Sequence, residues 1–220
     1  MKIIVDDKIP YIKGALEPFA EVVYLSGKAT TPQVVKDADA LITRTRTICN
    51  QSLLQDSKVQ IIATATIGFD HIDTDYCKSA GIEWTNAPGC NSWSVGQYVL
   101  AALYALANEK HFELAEKTIG IIGAGNVGTK VEKLCKAIGM NVLVNDPPRQ
   151  RAEGPANFVS LETIQKEADI ITIHTPLTYE GIDKTYHLID EAFLANCAKE
   201  IFLINAARGE VLDTNAVNDA

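Results

Sequence analysis

Thr118-Ile119-Gly120-Ile121-Ile122-Gly123-Ala124-Gly125-Asn126-Val127-Gly128 reads as a β-strand that runs into the pattern G-x-G-x-x-G and opens a helix. In such a turn Gly123 permits the tight bend and Gly125 lets the backbone approach a pyrophosphate. Gly128 brings the helix against the sheet, and the helix N-terminus faces the anion. Alone the pattern is weak, and its bland reading is a glycine-rich turn. Asp146 strengthens it: it ends the next apolar run, Asn141–Asn145, 18 residues after Gly128, where a carboxylate accepts hydrogen bonds from an adenosine ribose. A P-loop is the nearest rival, but Thr129-Lys130 stand in the reverse of the order that phosphate and magnesium require. A ribose 2′-phosphate would face the charge of Asp146, so NAD is expected over NADP, with Arg149 nearby weakening the preference.

Outward from this stretch, short β-rich runs alternate with helical patterns. Ahead of it stand Ile3-Ile4-Val5, Val22-Val23-Tyr24, Ala40-Leu41-Ile42-Thr43, Gln60-Ile61-Ile62-Ala63 and Gly81-Ile82-Glu83-Trp84, with helices expected around 10–19, 32–37, 50–56 and 72–79. Such alternation marks a parallel sheet covered on both faces. Turn residues Asn86–Ser92 lead into an apolar helix from about Ser94 to Asn108, expected to be buried and to cross between domains. A second series places strands at Thr118–Gly123, Asn141–Asn145, Ile170–His174 and Ile201–Asn205, and Asp213–Ala220 reads as a cap and the first turns of a helix. The expected architecture is α/β: a flavodoxin-like substrate domain over 1–92, an inter-domain helix over 93–116, and a doubly wound parallel (Rossmann) cofactor domain over 117–220. Ligands should collect at the carboxyl ends of the strands.

Composition excludes other classes. At 220 residues and 47% hydrophobic, the chain can build one large or two modest cores. Its net charge of −8 disfavours nucleic acid or an anionic membrane surface, which would need a cationic face. Cys49, Cys77, Cys90, Cys135 and Cys197 show neither C-x-x-C spacing nor a paired framework, so a reducing cytoplasm is expected and no metal. Asp6 and Asp7 interrupt the apolar run that a secretory leader needs, and Val95–Ala107 is shorter than the ~20 residues of a bilayer span. Neither a leader nor a membrane segment is expected.

Three stretches in succession resemble the signatures of the D-2-hydroxyacid dehydrogenases: Gly123–Gly128 with Asp146; Ile173-His174-Thr175-Pro176-Leu177; and Leu203-Ile204-Asn205-Ala206-Ala207-Arg208-Gly209-Glu210-Val211-Leu212-Asp213. Thr64–Asp73, Ala87–Ser92 and Asn145–Arg149 are further similar to the branch of that family that oxidises a phosphorylated 2-hydroxy acid in vitamin B6 synthesis. The resemblance implies NAD as cofactor, contacted by Gly123, Gly125, Asn126, Val127, Gly128, Asp146, Thr175, Ala206, Ala207 and Arg208. It implies Arg208 as the catalytic arginine, Thr45 and Thr66 as substrate contacts, and a homodimer.

Oxidising a 2-hydroxy acid needs a cation for the carboxylate and forming carbonyl, a base for the hydroxyl proton, and a nicotinamide for the hydride. The planar fork of Arg208 suits the first role. Arg44 and Arg46, flanking Thr45, suit a phosphate, although either could equally be a solvated strand-end charge. By the resemblance, the base histidine and its orienting glutamate are expected beyond Ala220, the Rossmann domain is expected to be incomplete, and the chain alone is expected to be inactive. His71, His111, His174 and His187 read as structural or solvated, His111 and His187 lacking an obvious acidic orienter, and Cys90 as a small buried side chain. Another acid substrate, such as glycerate or lactate, and a non-catalytic NAD sensor remain as alternatives.

Overall fold

A computed structural model describes residues 1–219, which divide after Cys90 into two units. In the first, β1 (Lys2–Asp6), β2 (Glu21–Leu25), β3 (Ala40–Thr43), β4 (Ile61–Thr64) and β5 (Glu83–Thr85) form a wholly parallel sheet in the order β2-β1-β3-β4-β5. This is the flavodoxin strand order. Helices α1 (Pro32–Val35), α2 (Gln51–Leu54) and α3 (Thr74–Ala80) supply Val35, Leu53, Leu54 and Cys77 to a core on one face, against Ile4, Leu41 and Ile62. The other face packs Ile3, Val5 and Ala40 under Ile9, Ile12 and Leu16.

That second cover is not the helix expected over 10–19. Tyr11 and Gly14 hold positive φ of 61° and 87°, which breaks a right-handed helix twice within one turn. The chain makes tight turns instead, with the Ala15 and Phe19 N–H groups donating to the Ile12 and Leu16 carbonyls. The apolar side chains still reach the sheet, so the pattern was right about burial and wrong about the element.

The second unit begins with α4 (Ser92–Lys110) and builds a parallel sheet from β6 (Thr118–Ile122), β7 (Asn141–Asn145), β8 (Ile170–Ile173) and β9 (Phe202–Asn205), in the order β7-β6-β8-β9. Between and after the strands stand α5 (Gly128–Ala137), α6 (Pro147–Glu153), α7 (Leu161–Glu167), α8 (Glu191–Ala195) and α9 (Thr214–Asp219). Ala220, in the expected terminal helix, lies outside the described residues. Ile119, Ile121 and Ile170 face Val99, Leu103 and Val131 of α4 and α5, while Ile171 and Ile173 face Ile164 and Phe193 of α7 and α8. Each fully buried isoleucine stabilises the unit by about 1.5–3 kcal/mol, and coverage on both faces is why all four residues of β8 are buried, three of them isoleucines.

Helix α4 buries one stripe only, Gly96, Val99, Leu103 and Ala107, and exposes Tyr98 and Tyr104; the expectation of a buried helix fails on its outer face. The segment Phe158–Val159 flanks β7: the Val159 N–H donates to the Val144 carbonyl at 2.8 Å and the Asn145 amide to the Val159 carbonyl at 2.7 Å. It stands where a doubly wound sheet carries its third strand. With β7 on one side of β6 and β8 on the other, the chain reverses direction between β6 and β8. The carboxyl ends of those two strands form the crevice where such sheets take ligands.

Candidate functional site

A cavity of about 590 Å³ opens at that crevice, lined by Gly123, Gly125, Asn145, Asp146, Arg149, His174 and Thr175 together with the 176–188 segment. Its floor depends on glycine. A Cβ at Gly123, whose φ is +91°, would stand 2.8 Å from the His174 carbonyl carbon, and one at Gly128 would stand 1.9 Å from the Gly123 oxygen. A Cβ at Gly125 would meet nothing within 4 Å. The first two positions therefore pack β6 against β8 and α5, whereas Gly125 keeps open space above the loop. Among the described residues, the N–H groups of Asn126 and Val127 meet no acceptor, as the first turn of α5 requires of an anion-binding helix start.

Asp146 sits at the rim, half-buried, with both oxygens engaged: Oδ2 accepts the Ala124 N–H at 2.8 Å and Oδ1 accepts the Arg149 N–H at 3.0 Å. The second bond caps α6. Each carboxylate oxygen keeps a further lone pair. Sequence reasoning missed the capping role, although Asp146-Pro147-Pro148, a cap residue followed by proline, carried the signal. Arg149 is fastened: its fork donates to both oxygens of Glu153 at 2.7 and 2.8 Å, and Nη1 donates to the Ala124 carbonyl at 2.7 Å.

The hydroxyl of Thr175 is buried and has no hydrogen-bond partner among the described residues. A buried hydroxyl left unpaired costs about 1–3 kcal/mol, and its place in the cavity wall gives a bound polar group something to satisfy. His174 is in the same wall. Its Nε2 lies 3.0 Å from Thr172 Oγ1, its Nδ1 has no partner, and burial pushes its pKa down to about 4. The glycine floor and the unpaired Thr175 hydroxyl fit a dinucleotide. After β9, Ala206 and Ala207 lead to Arg208, half-buried, whose loop is tied by Asn205: the Asn205 amide donates to the Arg208 carbonyl at 2.8 Å and its Oδ1 accepts the Ala207 N–H at 2.9 Å.

The first unit gathers its candidates at the carboxyl ends of β3 and β4. Arg44, Thr45 and Arg46 are exposed there, and Arg44 Nη1 donates to the Lys8 carbonyl at 3.3 Å. Neither arginine has a carboxylate within 4 Å among the described residues. Thr66, half-buried, donates to the Gly68 carbonyl at 2.8 Å and lies 2.7 Å from the buried Thr64 hydroxyl. His71 is buried beneath this pair, with Nε2 3.1 Å from Thr64 Oγ1, a contact that no sequence spacing announced.

Two expectations about reactive side chains are corrected. Cys90 is exposed, not buried. His187 does have an acidic neighbour: its Nδ1 lies 3.6 Å from Asp213 Oδ2 and its ring stacks on Tyr186. Positions 26 apart in sequence gave no sign of the pair, which the 187–189 and 210–213 backbones bring together.

Residues 96–220 match the D-isomer specific 2-hydroxyacid dehydrogenase, NAD binding domain. The chain belongs to that family. The erythronate-4-phosphate dehydrogenase of Bacteroides thetaiotaomicron is 58% identical over 100% of this chain and 64% of its own length. This chain thus spans under two thirds of that relative. Among solved structures, D-lactate dehydrogenase from Aquifex aeolicus, complexed with NAD and lactic acid, is similar with a TM-score of 0.83 and 28% identity, covering 100% of this chain and 73% of that one. NAD-bound 3-phosphoglycerate dehydrogenase of Entamoeba histolytica gives 0.83 and 28%, covering 99% and 75%. No helix among the described residues is long and apolar enough to cross a membrane.

Proposed function

We propose that this chain carries the cofactor and substrate sites of an erythronate-4-phosphate dehydrogenase. The reaction moves a hydride from C2 of 4-phospho-D-erythronate to NAD, giving the 2-oxo acid, NADH and a proton, on the route to pyridoxal 5′-phosphate. The observation that carries the cofactor half is the unpaired Thr175 hydroxyl in the wall of a glycine-floored cavity whose rim is Asp146. The substrate half rests on 58% identity to the Bacteroides enzyme along the whole chain and on two arginines, Arg44 and Arg46, with no carboxylate within 4 Å among the described residues. In this reading 1–92 is the substrate domain, the segment 93–116, helical as far as Lys110, joins the domains, and 117–220 is the NAD domain.

Bound NAD supplies the hydride acceptor. The chain's own residues position both reactants: Gly123, Gly125, Asn126, Val127 and Gly128 cradle the pyrophosphate, Asp146 the ribose, and Thr175 with Ala206, Ala207 and Arg208 the nicotinamide end. Arg208 holds the substrate carboxylate and polarises the forming carbonyl, Thr45 and Thr66 orient the acid, and Arg44 and Arg46 hold its phosphate. A base near pKa 7 must take the C2 hydroxyl proton. Neither His71 nor His174 fits, because burial pulls both below the ordinary histidine range.

We further propose a cytoplasmic homodimer, favoured by the uncharged outer face of α4 (Gln97, Tyr98, Ala101, Tyr104, Ala105). Sedimentation of the gene product checks the dimer. The activity is tested by following NADH formation by the gene product with 4-phosphoerythronate, glycerate and lactate. Selective turnover of 4-phosphoerythronate is expected. Preference for an unphosphorylated acid assigns another D-2-hydroxyacid dehydrogenase, and NAD binding without turnover of any acid assigns a sensor.

A further inference from the structure

The first unit holds a hydrogen-bonded chain whose direction is fixed by its last member. Thr66 Oγ1 lies 2.8 Å from the Gly68 carbonyl, a group that only accepts, so the single proton of the Thr66 hydroxyl points there. At 2.7 Å the Thr64 and Thr66 oxygens cannot both withhold a proton, and Thr64 must therefore donate to Thr66. That leaves Thr64 as the acceptor for His71 Nε2 at 3.1 Å, and the alternative bond from Thr64 to the Thr43 carbonyl, at 3.4 Å, is forgone. The reverse direction would press two proton-less oxygens together at 2.8 Å between Thr66 and Gly68.

The backbone around His71 is held for this purpose on both sides. The Cys49 N–H donates to the His71 carbonyl at 2.7 Å, the Asp73 N–H donates to the Cys49 carbonyl at 2.9 Å, and the Asp73 side chain caps α3. Burial pulls the imidazole's pKa down, with Asp70 working against it, which favours the neutral ring with one N–H to place. The chain places it on Nε2.

We propose that His71 is a positioning residue that completes this chain as its donor and so holds the Thr66 hydroxyl in the polarity that the Gly68 carbonyl fixes, leaving Thr66 only a lone pair to offer its ligand. The ligand group at Thr66 is then a hydroxyl that donates, not a carboxylate or phosphate oxygen. This rests on Thr66 being a substrate contact, as the proposed function has it. A specificity device follows: a hydroxylated acid is accepted at Thr66, whereas an oxyanion placed there meets an oxygen with no proton to give.

Two measurements separate the parts. The first is 15N–1H multiple-bond NMR of this chain labelled at histidine, which needs no ligand. His71 is expected as the Nε2–H tautomer; an Nδ1–H tautomer overturns the proposal whatever the enzyme does. The second is calorimetric titration of the gene product with 4-phosphoerythronate and its two single-deoxy analogues. Thr66→Val and His71→Met are expected to weaken 4-phosphoerythronate about tenfold, while His71→Gln, which keeps an N–H near the Nε2 position, stays within about twofold of the parent. One deoxy analogue should bind the parent about tenfold more weakly and lose nothing more in Thr66→Val. Equal loss for both analogues in Thr66→Val overturns the hydroxyl assignment. Failure of the parent to bind 4-phosphoerythronate overturns the substrate reading, and the tautomer result still decides the polarity of Thr66.

Discussion

Both carboxylate oxygens of Asp146 accept a backbone N–H, from Ala124 and from Arg149, so the acid proposed to hold a ribose also ties the glycine loop to the start of α6. Removing it should therefore cost stability and affinity together. Asp146→Ala is expected to destabilise the second unit by about 1 kcal/mol through the lost cap. It should also weaken NAD about 10–100-fold, the worth of a hydrogen bond to a charged group, and narrow the gap to NADP. Asp146→Ser restores a cap without the charge, so thermal melting should recover while titration of NAD stays weak. An unchanged preference for NAD in both variants would remove Asp146 from the cofactor site. His174 gives a second prediction. Its pKa of about 4 lies below the ordinary histidine value of about 6.5, so between those pH values the unfolded chain binds more protons than the folded one. Its stabilising effect is complete above about pH 6.5 and is lost as pH falls toward 4, on the order of 3 kcal/mol across the window. The melting temperature of His174→Gln should fall less steeply than the parent's between pH 7 and 5. The lowered His71 acts in the same direction and leaves a residual slope.

At the scale of elements, the loop from β6 to α5 divides its glycines between fold and ligand. Gly123→Ala forces a methyl to 2.8 Å from the His174 carbonyl at a φ of +91°, and Gly128→Ala to 1.9 Å from the Gly123 oxygen. Each is expected to destabilise by at least about 2–3 kcal/mol, since backbone cannot step aside as a flexible side chain can. Gly125→Ala meets nothing within 4 Å, so it should fold and melt like the parent and yet bind NAD poorly, its methyl occupying the space above the loop. A melt and a titration on the three variants distinguish these roles; strong NAD binding by Gly125→Ala would take the pyrophosphate away from this loop. The four strands of this unit could be read from sequence because burial on both faces leaves little but apolar residues in them, as in Ile170–Ile173. Phe158–Val159 could not, being two residues beside β7 with no period to detect. The 10–19 segment misled because its apolar spacing answers to burial, while Tyr11 and Gly14 decide the backbone. The Thr66–Thr64–His71 chain was hidden for another reason: β4 ends at Thr64, so the two-residue spacing to Thr66 is no longer that of a strand, and only the strand end and the Cys49–Ile72 bridge bring His71 to the pair.

The 220 residues together carry a net charge of −8, and the proposed substrate, with a carboxylate and a phosphate, is itself an anion. The mean field of such a protein opposes the approach of that substrate, so recognition must be local and cationic. Arg44 and Arg46, proposed above to hold the phosphate, suit this need at the carboxyl end of β3: both are exposed, and neither spends its charge on a carboxylate within 4 Å among the described residues. If one of them grips the phosphate, changing it to Ala should raise KM for 4-phosphoerythronate about 10–100-fold, the worth of a charge-assisted bond to a dianion. KM for unphosphorylated erythronate should move by no more than about twofold, because nothing of that substrate reaches the lost guanidinium. Arg→Lys at the same position should fall between, keeping the charge and losing the fork. Salt supplies an independent check. Exposed charges are screened over about 8 Å at physiological ionic strength and about 3 Å at 1 M, so the preference for the phosphorylated acid should shrink as salt rises in the parent. It should be flat in the variant that has lost the responsible arginine. Equal losses on both acids, or a salt dependence that survives in both variants, would place the phosphate elsewhere and leave Arg44 and Arg46 as solvated strand-end charges.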